Sequence, residues 1–325
     1  MQSMVLAACK KGEKIILPRN VHRSVINALV LSGAEPVYVN PEMNHKLGIA
    51  LGMSVAQVEK AILENPSAKA VLVNNPTYYG VCSNLRAITE LAHRHNMLVL
   101  ADEAHGTHFY FGENMPPAAM RAGADMASVS MHKSGGSLTQ SSLLLTGKNV
   151  NPGYVSQIIN LTQTTSASYL LLSSLDISRR NLALNGKEIF KKVTDMAQYA
   201  RDEINAIGDY YAYSREIVNG DSVFDFDVTK LSIHTLDIGL AGIEVYDILR
   251  DEYEYPGGIR RSGNILAYVS VGDRVRDLER LVSALQEIRR RFKRGRGGML
   301  SQEYISLRWP PPPRRLFMRK RNLCR

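Results

Sequence analysis

Three cysteines in 325 residues, Cys9, Cys82 and Cys324, are too scattered and of the wrong parity for a disulfide framework. None sits at metal-ligand spacing, and His93 and His95, two apart on one helical stretch, point to different faces. No metal site is therefore expected, and the compartment expected is a reducing cytoplasm. Long apolar runs are also missing. Stretches such as Ala70–Val73 and Met97–Ala101 fall far short of a bilayer span. The opening "MQSMVLAACKKGEK" has no basic region ahead of its apolar residues and no clear cleavage site, so it does not read as a leader. Nor is basic charge spread over the body. The net charge is +9, but from Gln286 onward thirteen Lys/Arg face two acidic residues, which leaves the other 285 residues at about −2. A uniformly basic nucleic-acid face is thereby excluded, and only Arg289–Arg325 leaves such binding open.

What the chain does have is alternation. "IILP", "EPVYVN", "KAVLVNNP", "MLVLADEAHG", "DMASVSMHKSGGS" and "SLLLTG" read as buried strands, several with polar ends. "NVHRSVINALVLSG", "SVAQVEKAILENPS" and "NLRAITELAHRHN", in the helical period, separate the earlier ones. Strands alternating with helices of about a dozen residues predict an α/β fold with a mainly parallel sheet covered on both faces. Residues 168–205 read as one long helix. Beyond Asp209, "YYAYSREIV", "KLSIHTL" and "NILAYVSVG" predict strands of a smaller α+β unit around the helices "AGIEVYDILRDEY" and "RDLERLVSALQEIRRRFKR". The expected organisation is a large domain over 1–208, a small one over 209–300, and a Pro/Arg-rich tail over 301–325 outside packed structure.

In a doubly wound sheet, ligands gather beyond the carboxyl ends of the strands. Four such ends carry polar groups: "PRNVHRS", "NNPTYYG", "DEAHG" and "SMHK". Asp102 follows four apolar residues, so its carboxylate is desolvated unless it meets a cation, with a helix cap or an Arg salt bridge as the plainer alternatives. Lys133 lies between a buried strand and "SGGSLTQSS", whose glycines and hydroxyls suit close backbone approach and anion binding. A surface loop lysine is its plainer alternative. Tyr78 and Tyr79 read as loop packing, and His108 as structural.

"SVSMHKSGGSLTQSSLL", with "ADEAHGTHF" some thirty residues before it and "ILPRNVHRSV" near the start, resembles the bacterial Orn/Lys/Arg decarboxylases. These are fold type I enzymes dependent on pyridoxal 5′-phosphate. The resemblance runs from about Val5 to Tyr253 and again from Asn264 to Ser306. It implies a fold type I large domain with a smaller α+β domain. It also implies α-decarboxylation of a basic amino acid, arginine before lysine or ornithine, to a polyamine precursor. Lys133 would be the covalent anchor of the cofactor aldehyde, and a lysine of lowered pKa suits that task. Asp102 would pair with the pyridine nitrogen, which gives the buried carboxylate its cation. His22 would stack on the ring, with Ala104 on its other face, and Ser130 and His132 would contact the phosphate. Thr165, in Thr164–Ser166, would approach the phosphate of a neighbouring subunit, which implies a homodimer or higher homo-oligomer.

Three departures from the family pattern stand out. Family members carry a further segment before the equivalent of Met1, with a Gly/Ser/Thr-rich turn for the cofactor phosphate. The first helix here has no capping residue ahead of it. Arg260 and Arg261, in "EYPGGIRRSGN", stand where acidic residues would suit a basic substrate. After Ser306 the resemblance stops, and "LRWPPPPRRLFMRKRNLCR" has the composition of an out-of-frame reading or of a divergent basic tail. These departures keep a second reading open, a catalytically impaired member that retains the fold. Another fold type I activity, such as an aminotransferase, and nucleic-acid binding through the tail are further alternatives.

Overall fold

The alternating apolar runs assemble into a six-stranded sheet that carries the polar strand ends along one edge. In the computed structural model, residues 1–255, 259–260 and 263–293 are described. The expectations for the 301–325 tail, and for the side chains of Arg260 and Arg261, lie outside the described residues. The large sheet contains β1 (Lys14–Pro18), β2 (Glu35–Val39), β3 (Ala70–Asn74), β4 (Leu98–Asp102), β5 (Met126–Val129) and β6 (Leu143–Thr146). Their order is β2-β1-β3-β4-β5-β6, parallel throughout except for β6, which runs antiparallel to β5.

The period-2 alternation of the central strands feeds two apolar layers. Val71, Val73, Val99 and Ala101 face one layer, with Val58, Ile62, Ile88 and Leu91 of α3 (Val55–Glu64) and α4 (Leu85–Arg94). Ala70, Leu72 and Leu100 face the other, with Met4 and Val5 of α1 (Gln2–Ala8) and Val25, Ala28 and Leu29 of α2 (Arg23–Ser32). Helix limits follow local chemistry. Ser54 and Gln57 form a capping box on α3, Asn84 caps α4, and α2 ends at Gly33, whose φ of 74° is costly for any side-chain-bearing residue.

Helices α5 (Met131–Ser134) and α6 (Pro152–Thr162) and the start of α7 (Tyr169–Ile207) complete this half. The 39-residue α7 carries an inner stripe of Leu182, Phe190, Val193, Ala197, Ala200 and Ile204 into a third core. That core is shared with the second sheet: β7 (Tyr211–Ala212), β8 (Lys230–His234), β9 (Ile259–Arg260) and β10 (Asn264–Tyr268), in the order β7-β8-β10-β9. Helices α8 (Gly242–Tyr253) and α9 (Val275–Phe292) line it. Buried Arg201 of α7 donates to the carbonyls of Tyr213, Val228 and Lys230, each at 3.1 Å, and so ties the long helix to this sheet. Among the described residues no helix is long and apolar enough to cross a membrane.

Two expectations differ in detail. "YYAYSREIV" keeps strand geometry only at Tyr211–Ala212. Glu216 accepts hydrogen bonds from Ser214 N and Tyr211 OH, both at 2.8 Å, and this closes a turn where the alternation continues. The "SMHKS" segment is a turn of helix after β5, so Lys133 stands on α5 and not on the strand.

Gly186, midway along α7, marks where the long helix presses on the segment after β4. A Cβ there would lie 2.7 Å from Phe111 Cβ and 3.1 Å from Phe111 O. Alanine in a helix interior normally gains up to about 1 kcal/mol over glycine. Here the backbone contact opposes that gain, and Gly186→Ala is expected to lower the midpoint of urea unfolding. An unchanged or raised midpoint would mean that the contact yields at no cost.

Candidate active site

The carboxyl ends of the parallel strands converge as the sheet order requires. Asp102 ends β4 and is paired with Asn74 of β3 on one side and Ser128 of β5 on the other. Its side chain is buried, with Oδ1 accepting from Ala104 N at 3.3 Å. Burial pushes its pKa up, opposed by that hydrogen bond and by the positive charges of the Met1 amine, Lys133 and His22.

Lys133 projects from α5 just beyond β5. It is half-buried, and Nζ lies 3.0 Å from His105 Nε2. Burial lowers its pKa, Asp102 works against that shift, and the Lys230 charge adds to it. His105 is pushed down to about 2 by burial and then by the charges of Lys230 and Lys133. Its imidazole is therefore neutral and offers Lys133 a hydrogen-bond partner that carries no charge. Tyr78 meets the same ring edge-on at 4.6 Å between centroids. A buried carboxylate beside an amine of lowered pKa suits a ligand that carries both a cationic ring nitrogen and a reactive carbonyl.

The other expected residues divide. Ala104 lies in the cluster through its bond to Asp102. Ser130 is buried between β5 and α5, its carbonyl accepting from Thr107 Oγ1 at 3.0 Å. The His132 ring is oriented by an Nδ1–H bond to Ser141 O at 2.9 Å. His22 is exposed and caps α2, its Nδ1 accepting from Ser24 N at 3.2 Å. Thr165 sits on the exposed loop between α6 and α7 and, among the described residues, makes no hydrogen bond to the cluster. His93 is bound to Asp125 at 2.8 Å, and among the described residues no group of three metal-ligating side chains occurs.

Sequence reasoning missed a second charged group. Asp227 and Lys230 are wholly buried, joined at 2.7 Å, and Asp227 also binds His108 Nε2 at 2.9 Å. The signal lay in "DVTKLSIH", where an acid and a base three apart enter a buried strand.

With this geometry, the comparisons with known proteins are direct. A family model described as the Orn/Lys/Arg decarboxylase major domain matches residues 1–249. The chain belongs to that family. It is 45% identical over 300 residues to an arginine decarboxylase of Halalkalibacterium halodurans, covering 91% of this chain and 60% of the relative. It is 43% identical over 293 residues to an arginine decarboxylase of Bacillus subtilis, covering 89% and 59%. The chain thus spans about three fifths of the length of these relatives. Among solved structures, a Francisella novicida lysine decarboxylase superposes with a TM-score of 0.76 at 19% identity, over 89% of this chain and 47% of that one. An alanine–glyoxylate aminotransferase from Nostoc sp. gives 0.70 at 15%, over 89% and 78%. At these identities the likeness concerns the fold, which is the fold type I architecture expected from the sequence.

Next to Asp102, Glu103 is a wholly buried carboxyl that turns away from the cluster. It accepts from Tyr110 OH at 2.5 Å and Ala119 N at 2.8 Å, and so pins the loop that follows β4. Burial raises its pKa from 4.5 to about 8, against those two bonds. The native state therefore holds a proton that the unfolded chain releases above pH 4.5. Stability should fall as pH rises from 4.5 to about 8, by at most about 1.4 kcal/mol per pH unit. Glu103→Gln, a neutral isostere, is expected to flatten that decline when urea midpoints are compared across this range. An equal slope in both proteins would rule out Glu103 as its source.

Proposed function

We propose that this chain carries the cofactor centre of a pyridoxal-phosphate-dependent decarboxylase acting on a basic amino acid. Arginine is the first candidate, before lysine and ornithine, and the product would be a polyamine precursor. The observation that carries the reading is the placing of buried Asp102 at the end of β4 and of Lys133 on α5, just beyond the end of the adjacent strand β5. The names of the relatives support the substrate class.

The residues present fit the cofactor. Asp102 is a desolvated carboxylate with one backbone donor at 3.3 Å, and a protonated ring nitrogen supplies the cation it lacks. Lys133 has a neutral imidazole as its direct partner, which leaves its amine available to a carbonyl. In this reading Lys133 is the covalent anchor and Asp102 holds the ring nitrogen. His22 and Ala104 flank the ring, and Ser130 and His132 bind the phosphate. Pyridoxal phosphate, when bound, would supply the sink for the electron pair left on the substrate carbon as CO2 departs. In this reading Lys133 would also be the base that returns a proton at the substrate carbon.

The partner in this reading is a second copy of the chain, with Thr165 reaching its cofactor site. Leu170, Ile177 and Leu184 are 77%, 68% and 72% exposed at seven-residue spacing on α7, with Leu161 and Tyr169 exposed nearby. Such a stripe is the pattern of a helix face that another surface covers. The domains are read as 1–208 and 209–300, and the location as cytoplasmic.

Titration of the full chain with pyridoxal phosphate should produce a visible absorption band. Borohydride reduction should then fix the cofactor on the Lys133 peptide, and Lys133→Ala should lose both. Products from arginine, lysine and ornithine identify the substrate. A band without any product would assign to this chain cofactor binding alone, and no band would remove the reading. Leu170→Glu with Leu184→Glu is expected to shift the sedimenting species toward the monomer, and a wild-type monomer would remove the second copy from the reading.

A further inference from the structure

The buried pair that sequence reasoning missed has a specific relation to the reactive lysine. Lys230 Nζ lies 2.7 Å from Asp227 Oδ2, 3.3 Å from Thr229 Oγ1 and 3.4 Å from the carbonyl of His105, with the Tyr268 ring centroid at 3.9 Å. Asp227 Oδ1 accepts from Thr229 Oγ1 at 2.7 Å and Thr229 N at 3.1 Å, and meets His108 Nε2 at 2.9 Å. The pair therefore grips the segment after β4 at two points, the His105 backbone and the His108 ring. A fully buried ion pair gains little over an apolar pair of the same volume. Its consequence is set by what it holds, and the His105 it holds carries the imidazole that meets Lys133 Nζ at 3.0 Å.

We propose that the Asp227–Lys230 pair is a positioning element for Lys133, acting through His105. The small sheet thereby sets both the place and the protonation of an amine that belongs to the large one. The role of Lys133 rests on the function proposed above, but the coupling itself does not require a bound cofactor. Lys133 is faced by Asp102, His105 and Lys230. His105 is faced by Lys133, Lys230, Asp227, His108, Tyr78 and Tyr268. Of the charges facing Lys133, Asp102 favours the ammonium and Lys230 disfavours it. Removing the Lys230 charge should thus leave Lys133 more readily protonated.

Competitive labelling of the cofactor-free full chain with acetic anhydride, read by peptide mass spectrometry across pH, measures this directly. In Lys230→Met, Lys133 labelling near neutral pH should fall roughly threefold or more, while exposed Lys60 and Lys191 keep their rates. If that variant fails to fold by circular dichroism, Asp227→Asn combined with Lys230→Met removes both charges and should move Lys133 in the same direction. Unchanged Lys133 labelling in a folded variant would overturn the coupling. Because the cofactor titration is separate, an intact cofactor band with unchanged labelling would overturn this inference alone, and a lost band with shifted labelling would overturn only the function.

Discussion

A carboxylate stripped of water at the carboxyl end of a central strand is the constraint on which the site depends. Asp102 is held there by its register with Asn74 and Ser128, so it cannot swing out to solvent without breaking β4. Desolvating an ion costs several kcal/mol, whereas one backbone hydrogen bond returns about 0.5–1.5 kcal/mol. The Ala104 N–H alone therefore cannot hold the charged form. The remainder must come from cations gathered beyond the strand ends, and Lys133 is placed to supply part of it. The sheet order puts these groups together because β1, β4 and β5 all run the same way.

The second sheet is more than an appendage to this arrangement. Arg201 binds α7 to the carbonyls around β8, and Lys230, the first residue of β8, reaches across to His105. These contacts give the two sheets a shared set of polar constraints in addition to the apolar core along α7. Polar contacts of this kind are directional, so they fix orientation where apolar packing fixes only proximity. The segment after β4 is consequently held on three sides: by Glu103 with Tyr110 and Ala119, by the Asp227–Lys230 pair, and by Gly186 pressing on Phe111.

The large sheet was legible in the sequence because its central strands are buried on both faces and read as continuous apolar runs bounded by turns. Ser54, Asn84 and Gly33 mark helix limits through chemistry that needs no tertiary context. Asp102 and Lys133 stood out for the same reason, as single charges beside apolar runs. Other features depended on long-range contacts and left weaker traces. The turn after Ala212 is closed by Glu216, which the period-2 alternation does not reveal. Lys230 was hidden because, Asp227 and Thr229 apart, its partners are distant in sequence, His105 more than a hundred residues upstream and Tyr268 on a later strand, and meet it only once the chain is folded. His22 has a local explanation as the cap of α2, which no sequence pattern separates from a role at the cofactor.

Charge is partitioned in this site in a way that favours chemistry over simple neutralisation. One carboxylate, Asp227, and two lysine amines face His105, and the shortest acid–base contact joins Asp227 to Lys230 and not Asp102 to Lys133. A direct Asp102–Lys133 pair would stabilise the ammonium and keep the amine from attacking a carbonyl. Instead Lys133 meets a neutral imidazole, and the buried pair satisfies its own charges while presenting a fixed positive field to both groups. The arrangement leaves Asp102 in need of a cation and Lys133 free of a counter-ion. A ligand with a protonated ring nitrogen and an aldehyde satisfies both conditions at once, whereas a simple cation answers only the first.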